Sequence, residues 1–419
     1  MRIFSVFFLL FFTSFSSVGF AEWYKGTTHV HSLWSDGEMS PELIGAWYKE
    51  RGYNFICFSE HNLLQIVRPG KTPRYFPIRD GSKLTMAQVR EIQKKFGKNW
   101  VKMKPGKEPA MLLKTHQELS AKLNVPGRFL LMMAEEITTY KGPHMNAINV
   151  RNLIPPSLKK ENSIQQYIDA VRNQSKRLKL PIALHLNHPH YQEGVPAEEV
   201  LATRGLRGFE IYNGTQTANP AGNQAKFLTS FERYWDIILA LKQRTEPGEP
   251  LYGYASDDSH KFYQQDRWSA NPGRGWIMVR SKKLDANSLT QAMIQGDFYA
   301  STGVMLKDIE ATQKHLKIFI DAEAGVAYSV QFIGTRKGFD SVSRPLLDAN
   351  GKIRPLTHGY SNEIGQVLFE TLENPAIYEF QGNELYVRAI IVSSKLQNNP
   401  AFPDTKETAW VQPVMLKKD

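Results

Sequence analysis

The chain has 419 residues, of which 42% are hydrophobic and 22% charged; this excludes a disordered polymer and exceeds what one small core needs. One large α/β domain with a smaller module is the natural expectation. A net charge of +11 either favours anionic small molecules and surfaces or reflects a bias of the source proteome, and no arginine-rich or aromatic-interleaved tract points to nucleic acid.

In chain order, Arg2 is followed by an apolar run from Ile3 to Phe12, and Gly19 and Ala21 stand at the spacing a signal peptidase reads. Residues 1–21 are therefore expected to be a cleaved signal peptide, making the protein periplasmic or secreted; an uncleaved anchor is the alternative. No later run reaches the ~18 uninterrupted apolar residues of a membrane span. The single cysteine, Cys57, lies in FICF and reads as a small buried hydrophobe, so stability must come from the core and not from disulfides.

Beyond the signal, strand-like and helix-like stretches alternate. GTTHVH reads as a strand. SPELIGAWYKERG reads as a helix, with Ser40 as N-cap, Pro41 at the first helical position and Gly52 as the stop. NFICFSEH, FLLMMAEEI, PIALHLNHP, GFEIYNG and LYGYASDDSH are further strands, and SIQQYIDAVRNQSKRLKL and SFERYWDIILALKQR are helices. This alternation predicts a parallel βα architecture of barrel type over residues 22–304. Residues 62–113, rich in Lys, Arg, Pro and Gly, interrupt the rhythm as an insertion, either a lid at the catalytic end or a solvated excursion. Residues 305–419 change to short alternating runs such as ELYVRAIIVSS and AWVQPVML, which predicts an antiparallel β-sandwich-like module.

Residues two apart on a strand share a face. His29 and His31 share one at the end of the first strand. His61 is in phase with Phe55, Cys57 and Ser59, and Glu136 with Leu130, Met132 and Ala134, while Glu135 points the other way. His188 is in phase with Ile182, Leu184 and Leu186, and Asp258 with His260. In parallel barrels the C-terminal strand ends converge. Imidazoles and carboxylates placed there can meet around cations, and without cations such a cluster is costly to bury.

The series THVHSLWSDGEMSPEL…SEHN, AEEITTYKGPHMNAINV, NHP, FEIYNG and SDDSH resembles the motifs of the PHP (polymerase and histidinol phosphatase) metallohydrolases. GDFYASTG, ELYVRAIIV…AWVQP and the β tail resemble the CehA/McbA-like branch. The resemblance implies a distorted (β/α)7 barrel with two or three divalent ions, Zn, Mn or Fe. His29, His31, Glu136 and Asp258 would hold one ion. Glu136 would bridge to a second held by His144 and His188, and Asp36, His61 and His260 would hold a third. Glu136, His61 and Asp258 would also serve catalysis. His185 or His190 stands as an alternative to His188, and Glu60 occupies a position where Asp is common in the family and reads as a partner of a ligand. His116, His315 and His358 read as surface residues. Arg274 and Tyr299 are either substrate contacts or structural.

The expected activity is a phosphoesterase acting on a small anionic substrate through hydroxide held between ions. Carbamate or amide hydrolysis of the CehA/McbA type is the alternative, and a non-catalytic metal- or glycan-binding protein is a third reading. No GxSxG elbow, P-loop or strand-borne GxGxxG competes.

Overall fold

The computed structural model describes residues 21–416 except 68–69, 105, 140–141, 158–162, 192–193, 223–228 and 355–356. The expected signal peptide lies, but for Ala21, outside the described residues. Among the described residues no helix is long and apolar enough to cross a membrane.

The strands run β1 (Glu22–Val30), β2 (Phe55–His61), β3 (Tyr75–Pro77), β4 (Met103–Lys104), β5 (Ala110–Leu112), β6 (Leu130–Thr138), β7 (His144–Ile148), β8 (Ala183–Leu186), β9 (Gly208–Asn213) and β10 (Tyr252–Ser256). They continue as β11 (Trp276–Ser281), β12 (Phe298–Ser301), β13 (Leu306–Ala311), β14 (His315–Ile320), β15 (Tyr328–Arg336), β16 (Gln366–Thr371), β17 (Ala376–Glu379), β18 (Glu384–Leu396) and β19 (Lys406–Met415). The helices are α1 (Pro41–Glu50), α2 (Met86–Phe96), α3 (His116–Leu123), α4 (Ser163–Leu178), α5 (Ala197–Leu201), α6 (Phe231–Lys242) and α7 (Ala286–Gln295). Local chemistry explains several boundaries. Pro41 opens α1 as expected, although Ser40 caps it through backbone geometry alone. Ser230 caps α6 and Asp285 caps α7 through their side chains.

One 13-stranded sheet dominates, in the order β10-β9-β8-β7-β6-β2-β1-β11-β12-β19-β18-β15-β16. Six of its first seven members are the strands expected to form the barrel, β7 being the addition, but the barrel is not closed by a hydrogen-bonded ladder. β1 pairs with β11 antiparallel, and it meets the β10 side of the sheet only past the strand end, at the Val30–Ser259 bridge. The parallel expectation also fails at β7, which runs antiparallel to both β6 and β8. The chain between β6 and β7 spans only residues 139–143, too short for the crossover a parallel neighbour needs. The result is a mixed α/β fold built on a large curled sheet.

The sheet runs on past residue 304, because β12 pairs with β19. The tail therefore extends the same sheet, with a three-stranded sheet β13-β14-β17 beside it. One apolar core packs α4, α6 and α7 on the sheet with residues such as Phe209, Trp235 and Ile277; a second joins Val30, Ile44 and Phe58 to Val330, Val387 and Val411 of the tail. Residues 62–113 fold as α2 and the small sheet β3-β5-β4, and they bury Val89, Ile92 and Met111 in that second core.

Candidate metal centre

β2 and β6 are parallel neighbours in a register that sets His61 beside Glu136. Across the other edge of β6, Thr138 pairs with His144 at the start of β7. β1 delivers His29, and His31 follows it. His188 and Asp258 lie two residues beyond β8 and β10, and their backbones turn left-handed, at φ 21° and 49°. That conformation is rare for residues other than glycine, and it is retained here at two strand ends that face one cluster. The turn places these two side chains, not the strand phase expected for them.

All nine expected ligands meet around Glu136. Its Oε1 lies 3.4 Å from His29 Nε2, 3.3 Å from His144 Nδ1 and 3.4 Å from His188 Nε2. Its Oε2 lies 3.3 Å from His31 Nε2 and 2.9 Å from His61 Nδ1. Asp258 Oδ1 is 3.2 Å from His29 Nε2, 3.4 Å from His31 Nε2 and 3.6 Å from His260 Nδ1. Asp36 faces His260 Nε2 at 3.2 Å and His61 Nε2 at 3.4 Å. Three groups have donor atoms close enough together to hold one ion each: His31, Asp36, His61 and His260; His29, Glu136 and His188; and His29, His31 and Asp258. His31 therefore also stands with the expected third set.

The donor set fits divalent cations. His29 Nε2, His31 Nε2 and Glu136 Oε2 are buried without a hydrogen-bond partner, an arrangement that costs free energy unless something compensates it. Two atoms each ~2.1 Å from a tetrahedral cation lie ~3.4 Å apart, the spacing that recurs across this cluster. Imidazole with carboxylate suits Zn, Mn or Fe.

Within the cluster the groups shift one another's protonation. Burial, with His260 and His61 nearby, pulls His31 down to about 3 and keeps it neutral. Burial also opposes charge on His61, but Glu136 and Asp36 outweigh it and hold that imidazole up at about 11. Burial would raise Glu136, yet His61 and His29 keep it well below the carboxylate range. Asp36 is likewise depressed, because hydrogen bonds from His260 and His61 outweigh its burial.

The supporting residues are partly ones the sequence left unassigned. Glu210, inside FEIYNG on β9, accepts from His29 Nδ1 at 2.7 Å, from the His188 N–H at 2.8 Å and from Ser256 Oγ at 2.6 Å. Its signal was an acidic residue inside an apolar strand run. Asn187 donates to Glu136 Oε1 at 2.9 Å, and Thr138 Oγ1 lies 2.6 Å from His61 Nδ1. Glu60 is buried below the cluster, where Ser32, Ser35 and Gln65 donate to it. Glu135 turns away to accept the Ile154 N–H at 2.8 Å.

Neither alternative histidine joins the cluster. His185 stacks on Tyr254 and lies 3.2 Å from Thr28 Oγ1, and His190 Nδ1 lies 3.2 Å from the Asn219 carbonyl. Arg274 is no surface residue: it is 1% exposed and bound to backbone carbonyls. Tyr299 is buried, its hydroxyl accepting the Leu306 N–H at 2.9 Å. His116, His315 and His358 are each half-buried, not freely exposed. Cys57 is buried, and burial pushes its thiol far above the ordinary range.

No family model matches the chain, and no curated protein matches it. Among solved structures, a two-domain protein from Bacteroides vulgatus containing a predicted PHP-like metal-dependent phosphoesterase shares 14% identity, over 94% of this chain and 95% of its own, at a TM-score of 0.38. A candidate metal-dependent phosphoesterase from Bifidobacterium adolescentis shares 11% identity, over 56% of this chain and 87% of its own, at a TM-score of 0.30.

Proposed function

We propose that the protein is a metal-dependent phosphoesterase of the PHP superfamily, acting on a small anionic ester after export from the cytoplasm. One observation carries the reading: eight imidazole and carboxylate side chains, from six segments of the chain, gather around Glu136, with buried donor atoms that have no hydrogen-bond partner. The tail motifs support the CehA/McbA-like branch within that proposal, and the N-terminal apolar run supports export.

Bound divalent cations would supply charge neutralisation at the phosphoryl oxygens and water activated near neutral pH. The chain's own residues do the rest. Glu136 divides its two oxygens between the His29, His144 and His188 side and the His31 and His61 side, so it fixes the spacing of the two halves. Glu210 orients His29, and Asn187 orients Glu136. Hydrolysis forms an O–P bond from water, breaks the ester O–P bond and returns a proton to the leaving oxygen. His61, at 27% side-chain exposure beside Asp36, marks the open side of the cluster, where solvent can carry that proton.

Elemental analysis of purified protein, with turnover of p-nitrophenyl phosphate, its phosphodiester and an aryl carbamate, tests the proposal. Bound Zn, Mn or Fe with phosphoester turnover lost on chelation is the expected result. Carbamate turnover alone would assign acyl hydrolysis, and full occupancy without turnover would leave a binding protein.

A further inference from the structure

The metal cluster forms one wall of a cavity of about 340 Å³, and a different kind of residue stands at its rim. Trp268 lines this cavity and is 70% exposed, the second most exposed large hydrophobic side chain among the described residues. A single exposed apolar side chain needs no explanation by itself, but this one stands at the mouth of the cavity that holds the cluster. The turn that carries it is held by several hydrogen bonds. Asp266 Oδ1 accepts the Trp268 N–H at 2.9 Å and the Ser269 N–H at 2.8 Å. The buried Arg274 guanidinium donates to the carbonyls of Asp266 at 2.7 Å, Ser269 at 2.6 Å and Gly214 at 2.8 Å. It thereby ties the turn carrying Trp268 to the segment that brings Thr215 and Thr217 to the same cavity. The Ala270 carbonyl accepts the His260 N–H at 2.9 Å, so the turn is also bonded directly to a ligand residue.

We infer that Trp268 is a specificity-determining residue: a stacking platform, carried on a hydrogen-bonded turn, for a planar aromatic leaving group on the phosphate ester. The inference rests on the hydrolase reading for the ester, and on the rim alone for the aromatic group. The cavity volume lies near the lower end of small-molecule sites, which suits a compact aryl ester and not a polymer. Thr215, Gln216 and Thr217 line the cavity beside it, with the charged Glu38 and Lys261; the other ring there, Tyr191, is half-buried and packs against His188 at 5.0 Å, so the indole is the exposed aromatic face of this rim. Arg267 lies with its guanidinium 4.5 Å from the ring centre, and a purely local contact between these two is the competing role.

Calorimetric titration of the full-length, Mn²⁺-loaded protein with phenylphosphonate and methylphosphonate separates the two. Both analogues carry the phosphoryl group and resist hydrolysis. The wild type is expected to bind phenylphosphonate about tenfold tighter than methylphosphonate. Trp268→Phe should keep most of that preference, and Trp268→Ala should lose it with metal content and methylphosphonate affinity unchanged. Equal affinities in the wild type, no binding of either analogue, or a preference that survives in Trp268→Ala would overturn the inference. Failure of the wild type to hydrolyse 1-naphthyl phosphate, with the binding preference intact, would overturn the hydrolase reading alone.

Discussion

Glu210 accepts the Nδ1–H of His29 at 2.7 Å and so leaves His29 Nε2 free to face Glu136 and Asp258. A carboxylate behind an imidazole fixes its tautomer and raises its basicity as a ligand. Glu210→Gln keeps the shape but removes the charge. Metal affinity, measured by competition with a chromophoric chelator, should fall by about 10- to 100-fold. An unchanged affinity would mean that Glu210 serves only the packing of β9.

Cations should also hold the fold. His29, His31 and Glu136 are buried with donor atoms unpartnered, and a ligand that binds only the folded state stabilises it by mass action. Ion at a hundredfold excess over its dissociation constant contributes about 2.7 kcal/mol. Chelation should therefore lower Tm by on the order of 5 °C, and Zn²⁺ or Mn²⁺ should restore it. Differential scanning calorimetry with and without chelator checks this. The same chelation of a Glu136→Gln variant should move Tm much less.

The ends of β1, β2 and β6 were legible because each combines an apolar run of period two with a polar terminus. His29, His31, His61 and Glu136 follow from that pattern alone. His188 and Asp258 stand beside the others for a reason that strand phase does not contain, since left-handed turns beyond β8 and β10 aim them. β7 was missed as a strand because HMNAI is short and mixes polar with apolar residues. That omission hid the antiparallel step at β6 and β7. Pairing of β1 with β11 joins residues some 250 apart in sequence, and no local pattern reports it. Glu210 lay in plain view inside FEIYNG, but its role depends on facing His29 from another strand.

The tail and the N-terminal region share a buried ion pair. Arg388 on β18 donates to both oxygens of Asp236 on α6, at 2.8 and 2.7 Å, and it also meets Glu232 at 2.7 Å. Arg388 and Asp236 are both buried. Arg388→Met removes the cation and leaves the carboxylate buried, which typically costs about 3–5 kcal/mol. Urea unfolding should show that loss, and Asp236→Leu in the same chain should recover most of it, because the desolvation of a lone charge disappears with the charge. An Arg388→Met variant as stable as wild type would show that the remaining Asp236 carboxylate carries no burial cost.

Lys25 offers a pH test remote from the metal cluster. Its ammonium lies 3.7 Å from the Trp276 ring centre and 4.3 Å from that of Tyr53. Burial lowers its pKa from 10.5 to about 8, against the opposing pull of Asp257. The folded protein is thus harder to protonate here than the unfolded chain. As pH falls from 10.5 toward 8 the unfolded chain takes up the proton first, and stability drops; below 8 both states carry it and the loss levels off. The burial cost is at most about 3 kcal/mol. Lys25→Met carries no such proton, so comparing the variant with wild type at each pH cancels every other titrating group. Its stability relative to wild type should be highest near pH 7 and should decline toward pH 10, where wild-type Lys25 is already neutral when folded. Urea titrations at the two pH values measure this difference, and a difference that stays flat would place Lys25 in contact with water as an ordinary ammonium.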